Sequence, residues 1–146
     1  MAANATSTPQ SNYPPVTLLT PLDQEIIIGN AQPVLLQWLS SGLLKPNELY
    51  RAEVVQVNGA RAPLSIRTRA TSWHLPIELF PDAADRNRLF RWKVEIIRQT
   101  GTGSDGAPIY SVVSPLSQYT FEWLANPPTP TPTATLLPGQ RITPRP

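Results

Sequence analysis

The chain has 146 residues, 18 of them proline and none cysteine, with ten arginines and two lysines set against ten acidic residues. That length supports one domain with its own hydrophobic core, while the lack of cysteine excludes structural disulfides, thiolate chemistry and Cys-ligated zinc. A net charge of +2, with basic residues scattered among acidic ones, lacks the massed basic patch of a nucleic-acid binder.

Residues 1–15 are uncharged and rich in Ala, Ser, Thr, Asn and Pro, which predicts a flexible lead-in. The opening Met1-Ala-Ala-Asn-Ala-Thr6 carries neither the charged nor the apolar region of a signal peptide; Asn4-Ala-Thr6 is a bare glycosylation triplet. From Val16 the chain alternates apolar and polar residues in short runs, the period-two signature of half-buried strands. Val16–Thr20 is the first, and Pro21 confines it to an edge. Glu25–Ile28 follows, ended by Gly29-Asn30. Val34–Leu39 aligns Leu36 with Trp38, and Leu49–Val57 aligns Tyr50, Ala52 and Val54 before the Asn58-Gly59 turn. Leu64–Thr68 turns Leu64, Ile66 and Thr68 inward, and Ser72–Leu75 carries Trp73. A short helical turn is expected over Ile77–Phe80 or Pro81–Asp85. Leu89–Arg98 has the clearest alternation, with Phe90, Trp92, Val94 and Ile96 inward. Pro108–Val113 and Gln118–Leu124 complete the series, the latter aligning Tyr119, Phe121 and Trp123. No run reaches the roughly 18 apolar residues of a membrane span.

Residues 125–146 hold seven prolines and no acidic residue, and their Thr-Pro repeats predict an extended polyproline spacer. The division is therefore a lead-in over 1–15, one domain over 16–124 and a Pro/Thr-rich linker over 125–146. Seven to nine short strands separated by turn signals predict an all-β antiparallel sandwich of the immunoglobulin kind. A parallel α/β architecture would need helices that this pattern lacks.

Candidate chemistry is sparse. Gly101, Gly103 and Gly106 match the G-x-G-x-x-G phosphate-binding spacing. A strand follows them where that motif needs a helix, so Gly101, Thr102, Gly103, Ser104, Asp105 and Gly106 read as a hairpin loop able to recognise a partner. His74, the one histidine, follows the inward Trp73 and faces solvent. Glu78, Asp82 and Asp85 surround a proline turn without the spacing of a calcium loop and read as turn and capping residues. Arg51, Glu53, Arg91, Lys93, Glu95 and Glu122 are expected to share one outer sheet face. Trp38, Trp73 and Trp92 belong to the core. Trp123, at the end of the last strand, is expected in the core or docked against the linker; the second reading makes it, with Tyr119, an exposed stacking platform for a sugar or peptide. Catalytic residues, metal ligands and cofactor sites are not expected.

Leu36-Gln-Trp38, Tyr50-Arg-Ala-Glu-Val54 and Phe90-Arg-Trp92-Lys-Val94-Glu-Ile96 together resemble the core positions of a fibronectin type III domain, over roughly Val16 to Leu124. Phe90 stands where that family carries a corner tyrosine, and Arg-Gly-Asp is absent. Leu19-Thr-Pro21, Gly42-Leu-Leu44 and Phe121-Glu-Trp123 look like modules of bacterial surface proteins joined by Pro/Thr linkers. The resemblance implies a non-catalytic, extracellular or cell-surface module that binds a protein partner or spaces neighbouring domains. Two other expectations are a carbohydrate-binding module using exposed aromatics, for cell-wall or surface polysaccharide, and a structural subunit assembled through edge strands or tails.

Overall fold

A computed structural model describes residues 12–126; the expectations for residues 1–11 and 127–146 lie outside them. Nine strands form in chain order: β1 (Thr17–Thr20), β2 (Glu25–Ile28), β3 (Leu35–Leu39), β4 (Glu48–Gln56), β5 (Leu64–Thr68), β6 (Ser72–His74), β7 (Leu89–Thr102), β8 (Pro108–Val112) and β9 (Ser117–Leu124). A single 3-10 turn, Ile77–Leu79, is the helical element among the described residues. The sheets are β1-β3-β6 and β2-β9-β7-β4-β5, with β8 paired to the far half of β7. This is an all-β, immunoglobulin-like sandwich.

The alternation in the sequence produces the core directly. Leu36 and Trp38 from one sheet meet Tyr50, Ala52, Val54, Phe90, Trp92, Val94, Ile96, Phe121 and Trp123 from the other, all buried. Trp38 and Tyr50 pack edge-on across the two layers with centroids 5.7 Å apart, and Phe90 stacks on Phe121 at 5.4 Å. Aromatic pairs of this kind contribute about 0.5–1.5 kcal/mol beyond their buried area. Phe90 thus satisfies its position by stacking, which needs no hydroxyl.

Three expectations change. The larger sheet is mixed, since β2 lies parallel to β9. The chain leaves the first sheet at Pro21 and keeps its direction in the second, where the last strand runs the same way. Strand β7 continues past Arg98 to Thr102 because β8 supplies a hairpin partner for its far half. Finally, Asn12–Pro15, placed in the lead-in, is fixed to the domain. The Asn12 amide donates to the Val113 carbonyl at 2.8 Å, and Tyr13 packs against the core with its hydroxyl oxygen 3.0 Å from the Leu43 carbonyl oxygen.

Candidate functional site

Strand β2 is a sheet edge with an unusual composition. Leu22-Asp-Gln-Glu-Ile-Ile-Ile-Gly29 places three consecutive β-branched residues in one short strand. At its start the Asp23 carboxylate accepts the Thr120 amide at 2.9 Å, and the Gln24 amide donates to the Thr120 carbonyl at 2.7 Å. At its end the Gly29 amide donates to the Leu124 carbonyl at 2.9 Å, and the Trp123 indole N–H donates to the Gly29 carbonyl at 2.8 Å. Gly29 has a φ of +76°, and a Cβ there would overlap the side chain of Asn126. The positive φ favours glycine there, whereas the exposed Asn126 side chain could swing aside.

The free side of β2 follows from this pinning. The Gly29 amide points to β9, and backbone direction alternates along a strand, so the Ile27 amide also points to β9. The amides and carbonyls of Ile26 and Ile28 then face away from β9, where β2 has no strand partner among the described residues. Side chains alternate as well. Ile27 packs against the core, whereas Ile26 and Ile28 are 57% and 62% exposed, and Leu22 ahead of them is 57% exposed. A groove of about 470 Å³ runs along this edge, lined by Pro21, Ile27, Ile28, Pro33, Val34 and Leu35 among others. Thr20, Glu25 and Gln32 also line the groove, so it is mixed in character; an edge with exposed isoleucines and no second strand partner among the described residues is a template for an added strand.

The sites expected from sequence are distributed differently. Gly101 and Thr102 end β7, and Gly103-Ser104-Asp105-Gly106 forms the tip of the β7–β8 hairpin. The Gly103 amide donates to the Ala107 carbonyl at 2.7 Å, and the Asp105 carboxylate accepts the Ala107 amide at 3.0 Å. Those bonds close the tip on itself. Trp123 is fully buried, its ring edge-on to Phe80 at 5.2 Å. Tyr119 is half-buried and packs on Trp92 at 6.3 Å. The two rings consequently do not form a surface platform, because the inward parity that aligns them in β9 also carries Trp123 into the core. His74 is exposed, and Asp85 accepts the Asn87 amide at 2.8 Å and the Gln56 side-chain amide at 2.8 Å. Those two bonds hold the Asp85 carboxyl below the usual aspartate range. Among the described residues no group of three or more His, Asp or Glu could hold a metal ion.

The outer face does gather its charges as expected, and it neutralises most of them. Arg51 forms a two-pronged bond with Glu95 through Nε and Nη2, and Lys93 Nζ lies 3.1 Å from Glu53. Arg67 lies over the Tyr110 ring at 4.9 Å, a bridge from β5 to β8 across the strands between.

One cluster escaped the sequence reading. Glu48 begins β4 on its inward parity and is fully buried. Its carboxylate accepts the Lys45 amide at 2.7 Å, Arg98 through Nη2 at 2.8 Å and Nε at 3.2 Å, and the Tyr13 hydroxyl. Burial pushes the Glu48 carboxyl up, but the Tyr13, Lys45 and Arg98 bonds outweigh it and hold the group below its ordinary value. Burial and the adjacent Glu48 push the Tyr13 hydroxyl up. Arg69 donates to the Glu48 and Lys45 carbonyls at 2.9 and 3.0 Å. The sequence signal was the parity Glu48-x-Tyr50-x-Ala52-x-Val54, which aims a carboxylate inward one residue before the expected start of the strand.

No helix among the described residues is long and apolar enough to cross a membrane. No protein-family model matches the chain, and no curated protein matches its sequence.

Proposed function

We propose that this chain is a non-catalytic interaction module, a fibronectin type III-like sandwich that engages an extended protein segment along strand β2. The observation carrying this reading is the β2 edge itself, with Ile26 and Ile28 exposed and their backbone groups directed away from the sheet. Edge addition supplies affinity through main-chain hydrogen bonds and specificity through alternate side chains. The groove beside Ile27 provides the pocket for those side chains. The outer face is a weaker candidate, because its main charges already pair with one another. A carbohydrate-binding role finds no support in the buried Trp123. An extracellular or cell-surface setting, and a role in spacing neighbouring domains, rest on the resemblance to surface-protein modules and on the Pro/Thr-rich composition of residues 125–146.

The test is selection of peptides from a displayed random library by the full chain, with the chosen peptides mapped by amide chemical shifts. Selected sequences should alternate β-branched or apolar residues and shift the amides of Glu25–Gly29. Peptides that map instead to Gly101–Gly106 or to the Arg51–Glu95 face would overturn the edge as the binding site.

A further inference from the structure

We infer that the segment taken up by the β2 edge is a short apolar, β-branched run bounded by a lysine or arginine, whose cation pairs with Glu25 on the groove side. This inference rests on the edge reading above and names the chemistry of the partner.

Charge is unevenly placed along the chain. Residues 1–44 contain no lysine, arginine or histidine, and Asp23 and Glu25 are their only charged side chains. The groove beside β2 is built from residues between Thr20 and Leu35, and Glu25 is the one charged side chain lining it. Asp23 is already engaged, with its carboxylate accepting the Thr120 amide and lying 3.3 Å from the Thr120 hydroxyl. The Glu25 carboxylate lies 3.5 Å from the Leu22 amide, longer than an ordinary N–H···O bond. The ion pairs among the described residues are Arg51–Glu95, Lys93–Glu53 and Arg98–Glu48, so Glu25 has no cation among them. The outer face neutralises its own charges, whereas the groove keeps one that only another chain can answer.

Strand parity decides where that cation must sit. Glu25 and Ile27 share the groove side of β2, while Ile26 and Ile28 share the outer face. Residues level with one another on neighbouring strands lie on the same face. A partner residue level with Ile27 therefore meets Pro21, Pro33 and Val34 in the groove and is apolar. Those level with Ile26 and Ile28 cover two exposed isoleucines, which suits β-branched side chains. The residue level with Glu25 is next on the groove side, where an opposite charge attracts and a like charge repels. Glu122, exposed on β9 and level with Ile26, gives the outer face beside the edge the same sign. The partner thus reads as an apolar triplet followed by a base if antiparallel to β2, and preceded by one if parallel.

The same charge disfavours a second copy of this chain. Pairing β2 with β2 would bring two Asp23 and two Glu25 side chains to one joint, within stretches that supply no base.

Fluorescence anisotropy with the full chain tests this, using labelled peptides in matched pairs. The lysine peptides are Ser-Thr-Val-Ile-Val-Lys-Thr-Ser for antiparallel pairing and Ser-Thr-Lys-Val-Ile-Val-Thr-Ser for parallel pairing; each has a counterpart with glutamate in place of lysine. The better-bound lysine peptide should be preferred over its counterpart by about tenfold or more and should shift the amides of Glu25–Gly29. Glu25→Gln should shrink that preference and Glu25→Lys should reverse it, with urea titration checking that both variants keep the wild-type fold. Equal binding of lysine and glutamate peptides, with shifts along Glu25–Gly29, would overturn the inference and leave the edge reading standing. A lysine preference that survives Glu25→Lys would overturn it as well. Shifts at Glu25–Gly29 that grow with protein concentration without peptide, alongside a dimer mass by light scattering, would assign the edge to a second copy and also overturn it. If none of these peptides binds while library-selected peptides lacking a base map to the edge, the inference falls alone; if those also fail, the edge reading falls with it.

Discussion

The end of the sandwich around Glu48 and the β2 edge handle opposite problems in opposite ways. At the first, a charged group is fully buried and three donor groups stabilise it: a backbone amide, a guanidinium fork and a phenol. At the second, apolar side chains are left in solvent and backbone groups on one side have no strand to meet among the described residues. A buried unpaired charge costs several kcal/mol, so the first end had to be completed within the domain. An exposed apolar edge costs little folding free energy and carries a risk of association instead. The difference teaches that folding completes the Glu48 end within the domain, while at β2 it leaves Ile26 and Ile28 in solvent on an edge without a second strand partner among the described residues.

The largest expected effect comes from cutting the link between core and edge. Trp123 packs against Phe80 and Phe90 and holds the Gly29 carbonyl with its indole N–H. Trp123→Ala should lose about 4 kcal/mol of unfolding free energy in urea titration, the usual range for removing a buried tryptophan. It should also release the end of β2, seen as faster exchange at the Gly29 amide. Loss of stability with an unchanged Gly29 amide would show that the edge is held by β9 pairing alone.

Next in size is Glu48→Ala, expected to cost about 3 kcal/mol, because it strands Arg98 and the Lys45 amide without their acceptor. The pH dependence sharpens this. The folded-state Glu48 carboxyl lies below its ordinary value of 4.5, so the unfolded chain binds more protons below that pH. Its contribution is present above pH 4.5 and drains away as pH falls through the folded value. Tyr13 works at the other limb: its hydroxyl is raised above 10.0, so its contribution is complete below pH 10.0 and is lost as pH climbs through the folded value. Thermal unfolding across pH should therefore show a plateau with two falling flanks. Glu48→Ala should lower the plateau and flatten the acid flank, apart from the part due to Asp85. An unchanged acid flank would mean that Glu48 is not the group being titrated.

Most of this architecture was legible in the sequence because burial and strand parity coincide wherever alternation is strict. Leu36 with Trp38, Tyr50 through Val54, and Phe90 through Ile96 were all placed inward and lie in the core. Legibility failed where one residue or one partner decided the outcome. Glu48 was missed because a boundary set at Leu49 excluded it, and polar residues at strand ends carry no hydrophobic signal. The parallel β2–β9 pairing was missed because alternation reports faces and says nothing of neighbours or direction. Trp123 admits two readings from sequence, core by its parity with Phe121 and platform by its place near the chain's exit, and its burial selects the first. The β2 edge was readable as a strand but not as a site, since exposure of Ile26 and Ile28 depends on which strand lies beside them.

Smaller effects separate a face that is paired from an edge that is open. A double-mutant cycle on Arg51 and Glu95 should give a coupling of about 0.5 kcal/mol, since the arginine side chain is 38% exposed and solvent screens such pairs. A coupling near zero would mean that the outer face is less self-paired than its geometry implies, and would restore it as a docking surface. The smallest change in stability should come from Ile26→Lys with Ile28→Lys. Both side chains already lie more than half in water, so unfolding free energy should move by no more than about 0.5 kcal/mol. Association should nevertheless respond, because lysine on an exposed edge discourages strand addition. Peptides selected by the wild-type chain should lose binding to the lysine variant by about tenfold or more, the penalty of two charges placed against an added apolar strand. Retained binding with unchanged stability would remove β2 from the interface while leaving the fold intact.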